Sequence, residues 1–405
     1  MSHYDIIIVG AGITGATAAL ALAKKIHLQI AVLDAAPLAT QWDKNQGERR
    51  VSAVTPASRR IFQRLQIWDA MREMRISPYK KMRVWDAAGS GSLDFDSQEI
   101  QLAALGYIIE DDVMRKVLHD ALRAQKNIHL FTPVELIKFE KKLKFHELTT
   151  QQHGNLQAQL VIAADGANSW IRTAAGIDLK MSDYQHHALV ATVKTVLPHQ
   201  QTARQRFLPG GPLAFLPLAD AHSCSIVWSL APDVAQELLA LDEENFRQRL
   251  TAAFENELGE VTEISQRKSF PLHMRHARHY VQQGLALIGD AAHTIHPLAG
   301  QGVNMGLLDA VCLVDIVVAA CEKNQDFAAY HRLRRFERSR KSDNLIMLTF
   351  VSALKSLFGS ETKTLKHLRN SGLNLTNQLD FVKNFFVNYA VGNRPDLPEL
   401  ARIIC

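Results

Sequence analysis

Over residues 4–9, YDIIIV is a short, mostly apolar and β-branched run, and the alanine-rich segment 13–25 that follows ends in two lysines. The first pattern predicts a strand and the second a helix. A further strand-like run covers 28–33 and stops at Asp34, so the three together predict a βαβ unit. DDVMRKVLHDAL at 111–122 spaces its apolar residues as an amphipathic helix does, and LVIAADGANSWIR at 160–172 reads as a buried strand turning at Asp165-Gly166 into a short helix. From about 182 to about 230 the period changes to two, and HHALVATVKT, RQRFLP, PLAFLPL and SCSIVWSL predict an antiparallel sheet. LALIGD at 285–290 returns to a buried strand, and beyond about 326 the chain reads as helical. There, Phe381, Val382, Phe385, Phe386, Tyr389 and Ala390 recur at helical spacing and would line one face.

Composition narrows the classes. With 405 residues, 47% hydrophobic and 21% charged, the chain has the make-up of an ordered globular protein, and its net charge of +5 does not imply nucleic-acid binding. Cys224, Cys312, Cys321 and Cys405 are scattered without zinc-ligand spacing, so they read as reduced thiols of a cytoplasmic chain without a metal site. The uncharged stretch 6–23 mimics a signal peptide, but MSHYD before it carries no lysine or arginine and glycines interrupt it. No other stretch reads as approaching the ~20 apolar residues of a spanning helix.

Between the first strand and helix lies GAGITG, with Gly10, Gly12 and Gly15, and Asp34 follows nineteen positions after the last glycine. This is the dinucleotide fingerprint: the glycines allow a tight turn and let a diphosphate reach a helix N-terminus, while the carboxylate holds ribose hydroxyls. Aspartate favours a free 2′-hydroxyl, hence FAD or NAD at this site. A second glycine-rich opening, HPLAGQGVNMGLLDA at 296–310, sets Gly300, Gly302 and Gly306 at the mouth of an apolar helix. Glycine costs roughly 0.5–1 kcal/mol there relative to alanine, so bare backbone must serve close approach.

GAGITG with Asp34, DGANSWIR, and GDAAHTIHPLAGQGVNMGLLD together resemble the flavin-dependent aromatic hydroxylases with a single dinucleotide fold, and the last motif is similar to the signature of the ubiquinone-biosynthesis hydroxylases. Within that family, DYQHHALVAT at 183–192 and LAFLPLADAHSCSIVWSL at 213–230 resemble the VisC-type group that hydroxylates 2-polyprenylphenol at ring carbon 5.

The resemblance implies an α/β fold: a Rossmann-type FAD-binding domain of the p-hydroxybenzoate hydroxylase-like fold, with an inserted antiparallel-sheet substrate domain and a helical C-terminal tail. The FAD-binding parts would be 1–75, 111–180 and 276–345, the substrate parts 76–110 and 181–275, and the tail 346–405. It implies that Gly10, Gly12, Gly15, Asp34, Arg50, Arg115, Asp165, Gly289, Asp290, Gly300, Gly302, Val303 and Asn304 hold FAD, and that Pro297, Gly300, Gln301 and Gly302 face the reaction. NAD(P)H would be a transient donor, since no second GxGxxG follows a strand. O2 would be the co-substrate, adding at the flavin C4a carbon to give a hydroperoxide that attacks an electron-rich phenol. A polyprenylated phenol is the implied substrate, with a homo-oligomer or a quinone-synthesis assembly as the setting and peripheral contact with the inner membrane face. A flavin-dependent isoprenoid reductase and a non-catalytic flavoprotein scaffold are the rival readings.

Several residues also carry plainer readings. His293 and His296 read as structural, because no partner carboxylate is visible for a general base. Alternation should send one of His186 and His187 inward. FLPL at 215–218 reads as core, and RLRRFERSRK at 332–341 as a solvated helical face. The Phe381-bearing face, with Lys355, Lys363, Lys366 and Arg369 nearby, reads equally as core packing or as a docking face.

Overall fold

The computed structural model describes residues 2–43, 50–87, 91–294, 301–359, 392–394 and 396–403. His296, Pro297, Gly300, Cys405 and the whole Phe381-bearing face lie outside them, as do Lys363, Lys366 and Arg369.

The βαβ unit is present as expected, with strand Ser2–Val9, helix Ile13–Lys25 and strand Ile30–Leu33. Ser2–Val9 is central in a mainly parallel sheet, flanked by Gly154–Ala163 on one side and Ile30–Leu33 on the other, with Leu285–Leu287 and Ile128–Phe131 beyond them. Ile6, Ile7 and Ile8 are fully buried, the mark of a strand covered on both faces. Helices Ile13–Lys25, Asp111–Arg123 and Gly302–Cys321 supply that cover. Because parallel strands carry their loops at one end, the turn after Val9, the turn after Ala163 and the turn after Leu287 are neighbours.

The middle of the chain forms a second sheet of nine strands around the long strand Leu179–Thr195. It is antiparallel except where Thr202–Leu208 pairs in parallel with Lys81–Asp86. Phe215 is core, stacked on Phe254 with ring centroids 3.8 Å apart. Two helices, Pro232–Ala240 and Glu243–Ala253, pack behind this sheet and interrupt a region that the sequence pattern describes through its strands alone. A third sheet of three strands, Val51–Val54, Gly106–Glu110 and Ile76–Tyr79, links the other two.

Four expectations need correction. His186 and His187 are both half-buried, because Gln185 takes a left-handed φ of +52° and the register with Lys268–Ala277 shifts between Asp183 and His187, which breaks the alternation. Gly302–Cys321 is long and apolar enough to cross a bilayer, contrary to the reading that no other stretch approaches that length; its apolar residues are instead packed in the main core. Arg340 and Glu337, inside the basic run taken as a solvated face, are buried at 2% and 1% exposure. Finally, the end of the chain is not a detachable tail: Leu397, Leu400 and Ala401 belong to the main core, while Arg60 donates to the carbonyls of Gly392 and Ala401, each at 2.6 Å.

Candidate active site

The glycines of GAGITG separate into two kinds. A Cβ on Gly10, whose φ is +104°, would stand 2.3 Å from the Ala164 carbonyl oxygen, and one on Gly15 would stand 2.0 Å from the Gly10 carbonyl oxygen. Those two let strand, turn and helix close on each other. A Cβ on Gly12 would meet nothing within 4 Å. Gly12 is also the N-cap of Ile13–Lys25 and supplies no side chain to it, so open space lies at a helix N-terminus, where a diphosphate fits. Asp34 reaches the same turn: its Oδ2 accepts the Ala11 N–H at 2.6 Å.

A second group gathers behind this turn. Gly289 has a φ of +59°, and a Cβ there would lie 3.1 Å from the Thr14 side chain. A Cβ on Gly306 would lie 2.5 Å from Thr14 Oγ1 and 3.3 Å from the Gly289 Cα. Gly306 is therefore bare so that helix can pack on helix, whereas Gly302, with nothing within 4 Å, is bare toward open space. The helix Gly302–Cys321 starts at Gly302, with the Met305 N–H donating to the Gln301 carbonyl at 3.0 Å, so Gly302 and Val303 lie in its first turn, at the positive end of its dipole. The Asn304 side chain faces inward: Oδ1 accepts from Thr55 N–H at 3.0 Å and Ser58 Oγ at 2.7 Å, and Nδ2 donates to the Ala53 carbonyl at 2.7 Å. It straps this helix end to the Val51–Val54 strand.

Desolvation by the surrounding protein raises the Asp290 carboxyl above the usual carboxylate range, against the pull of His293, Arg50 and Arg275. Arg50 is itself exposed and paired with Asp111 at 3.2 Å, and its charge reaches Asp290. Arg115 is paired with Asp112 on the surface of its own helix. Asp165 turns inward on its loop: Oδ1 accepts from Ser169 Oγ at 2.5 Å and Oδ2 from the Ile171 N–H at 3.0 Å, so it fastens the start of Trp170–Ala174.

Sequence reasoning missed the residues that tie these loops together. Asp309 is fully buried; its Oδ2 accepts from the Gly289 N–H at 3.1 Å and from His293 Nε2 at 2.5 Å, and its Oδ1 accepts from Arg340 Nε at 2.9 Å and Asn344 Nδ2 at 3.3 Å. His293 thus has a partner carboxylate after all, sixteen residues further on. Burial pushes Asp309 up, but His293 and Arg340 outweigh it and hold the carboxyl below its ordinary range, hence ionised. Buried Arg172 does similar work, donating to the Ala291 carbonyl at 2.9 Å and the Ala167 carbonyl at 3.1 Å, so the loops after Ala163 and Leu287 are joined. The signal for Asp309 was in the quoted motif, GLLDA, where a charge interrupts an apolar helix.

Residues 3–341 match the family model described as FAD binding domain. The chain is 36% identical over 388 residues to the 3-demethoxyubiquinol 3-hydroxylase of Escherichia coli, covering 96% of this chain and 98% of that one. It is 33% identical over 435 residues to the mitochondrial ubiquinone biosynthesis monooxygenase COQ6 of Xenopus tropicalis, covering 96% and 93%. With the ubiquinone hydroxylase UbiL of Rhodospirillum rubrum it shares 33% identity over 404 residues, covering 99% and 92%. Among solved structures it resembles the p-nitrophenol 4-monooxygenase PnpA of Pseudomonas putida, with a TM-score of 0.78 at 18% identity over 97% of this chain and all of that one. PqsL of Pseudomonas aeruginosa follows with a TM-score of 0.77 at 20% identity, over 93% of this chain and all of that one. At such identities those two share the fold.

Proposed function

Since the chain belongs to the family of FAD-dependent ubiquinone-biosynthesis hydroxylases, we propose that it hydroxylates the ring of a polyprenylated phenol at carbon 5, using NAD(P)H and O2. The observation that carries this reading is the convergence at Thr14, where the glycine loop, the Gly289-Asp290 turn and the open end of Gly302–Cys321 meet. When bound, FAD supplies the redox chemistry between NAD(P)H and O2.

The chain's own residues do the rest. The backbone around Gly12 receives the diphosphate and Asp34 the adenosine ribose, while Gly10 and Gly15 set that turn. Asp290 accepts from the ribityl hydroxyls. Gly302, Val303 and Asn304 form the first turn of Gly302–Cys321, and the dipole of that helix favours negative charge at the pyrimidine end of the flavin. Arg50 adds positive charge that acts on Asp290, and Arg115 and Asp165 take supporting places beside the diphosphate. For the substrate, the Pro297 carbonyl accepts the phenol hydroxyl, and Gly300, Gln301 and Gly302 keep the ring's approach clear. In the strand Gly211–Pro217, Ala214 and Leu216 are half-buried on the face opposite Phe215, a surface apolar enough to exclude water from the ring.

The carbon 5 assignment is supported by the two stretches at 183–192 and 213–230. A second reading has its own support: the Escherichia coli relative, at 36% identity, is named a 3-hydroxylase. Mass spectrometry of the quinone intermediates that accumulate when the gene is deleted separates them. A polyprenylphenol lacking the carbon 5 hydroxyl supports the first reading, a demethoxyquinol supports the second, and an unchanged quinone profile overturns both. The protein would work in the cytoplasm at the inner membrane face, as a homo-oligomer or within a quinone-synthesis assembly.

A further inference from the structure

Helix Asp111–Arg123 carries one buried histidine, His119, against the glycine loop. The ring bridges two loops: Nδ1 accepts the Ala39 N–H at 2.8 Å, which leaves Nε2 with the proton, donated to the Ala11 carbonyl at 2.7 Å. Asp34 completes the arrangement, with Oδ2 accepting the Ala11 N–H at 2.6 Å and Oδ1 the Ala36 N–H at 2.8 Å. Arg123, one turn along the helix from His119, donates to the Ala39 carbonyl at 3.0 Å. The peptide groups of Ala11, between the glycines Gly10 and Gly12, are thus held on both sides by groups that also hold the segment 34–39.

We propose that His119 is a positioning residue of the FAD site, clamping the glycine loop to the segment 34–39 around the adenosine diphosphate half, and that only its neutral imidazole can do so. A second proton on the ring would set an N–H at Nδ1 against the Ala39 N–H, donor against donor, and the clamp would open. The inference rests on the assignment of FAD to the glycine loop and is indifferent to the ring position hydroxylated.

The surroundings favour the neutral form. Burial lowers the His119 pKa from its ordinary 6.5 and outweighs the Ala11 carbonyl, whose hydrogen bond raises it; Arg123 and Arg115 on its own helix lower it further, and Asp34 at the end of Ile30–Leu33 opposes them. Helix Ile13–Lys25 brings no charge before Lys24, and residues 35–39 bring none. With the folded pKa lowered, the clamp is complete above 6.5 and is lost as pH falls through the lowered value.

The test is the FAD dissociation constant of the refilled apo-protein, followed by flavin fluorescence from about pH 8 down to the acid limit at which the apo-protein stays folded, for the wild type and His119→Gln. Glutamine keeps an amide N–H that can reach the Ala11 carbonyl but takes up no proton in this range. The wild-type constant should rise about tenfold on acidification, the scale of one buried hydrogen bond turned into a clash. His119→Gln should bind more weakly at about pH 8 and lose most of that pH dependence. A wild-type constant that does not change, or a variant with the full acid rise, overturns the proposal. Should the variant not fold, ¹⁵N spectra of the wild-type imidazole decide: an Nε2-protonated ring whose titration coincides with FAD release supports the clamp, and a midpoint separated from release overturns it. A wild type that takes no FAD at about pH 8 would overturn the cofactor assignment itself.

Discussion

Two glycines three residues apart in GAGITG, Gly12 and Gly15, have opposite physical reasons, and single substitutions should separate them. Gly12→Val places its side chain in open space, so the apo-protein should melt as the wild type does while FAD occupancy collapses. Gly15→Ala drives a Cβ into the Gly10 backbone, so it should lower apo-protein stability by about 1–3 kcal/mol, the usual cost of overpacking. Thermal melts of the apo-proteins and flavin absorbance of the holo-proteins read both effects; full flavin in Gly12→Val would displace the cofactor from this loop. Asp309 makes a further residue-scale case. Replacing it by asparagine keeps the shape but leaves buried Arg340 with Asp343 as its remaining counter-charge, which should cost about 1–3 kcal/mol in urea unfolding. A loss under about 1 kcal/mol would show that the pair is not what holds the Gly289 turn to the helix.

Helices Ile13–Lys25 and Gly302–Cys321 approach closely because Gly306 has no side chain where Thr14 stands. Gly306→Ala should therefore destabilise the protein and weaken FAD binding, and Thr14→Ala should restore much of both by vacating the space. A double-mutant cycle in stability would show coupling of about 0.5–3 kcal/mol, as contacting residues do; simple additivity would place the strain elsewhere. The same pair shows what is readable in a pattern. That a helix opens at Gly302 follows from local spacing, and so does its apolar character. Which glycine faces a ligand and which faces another helix follows from the crossing of two elements almost three hundred residues apart.

The chain's end and its start belong to one core. Truncation at residue 391 removes Leu397, Leu400 and Ala401 from that core, the Arg60 bonds to Gly392 and Ala401, and the Lys25–Glu399 ion pair. With about 1.5–3 kcal/mol for each large buried side chain, the shortened protein should unfold or lose FAD. Replacing 360–391 by a short glycine-serine linker keeps those contacts, and that variant should stay folded and yellow. It would also ask whether the Phe381-bearing stretch docks the protein: loss of co-flotation with lipid vesicles, with FAD retained, would support a docking role, and unchanged flotation would refute it.

The sequence by itself determined what depends on short separations. Strand and helix periods marked the βαβ unit with helix limits that match the structure, the glycine fingerprint marked the nucleotide turn, and the period-two runs marked the second sheet. Helices 232–240 and 243–253 escaped because the strand runs beside them dominated the reading. Tertiary structure alone decided the partners across long separations. Arg340 looked like one more solvated charge in RLRRFERSRK because Asp309, the fully buried carboxylate that draws it into the core, lies on another helix thirty-one residues away. His293 looked partnerless, Asn304 looked like a ligand, and Leu397 looked like part of a helical tail, for the same reason. Burial turns a polar side chain from a surface group into a structural one only when a satisfying partner is brought to it, and that partner is chosen by the fold rather than by the neighbouring sequence.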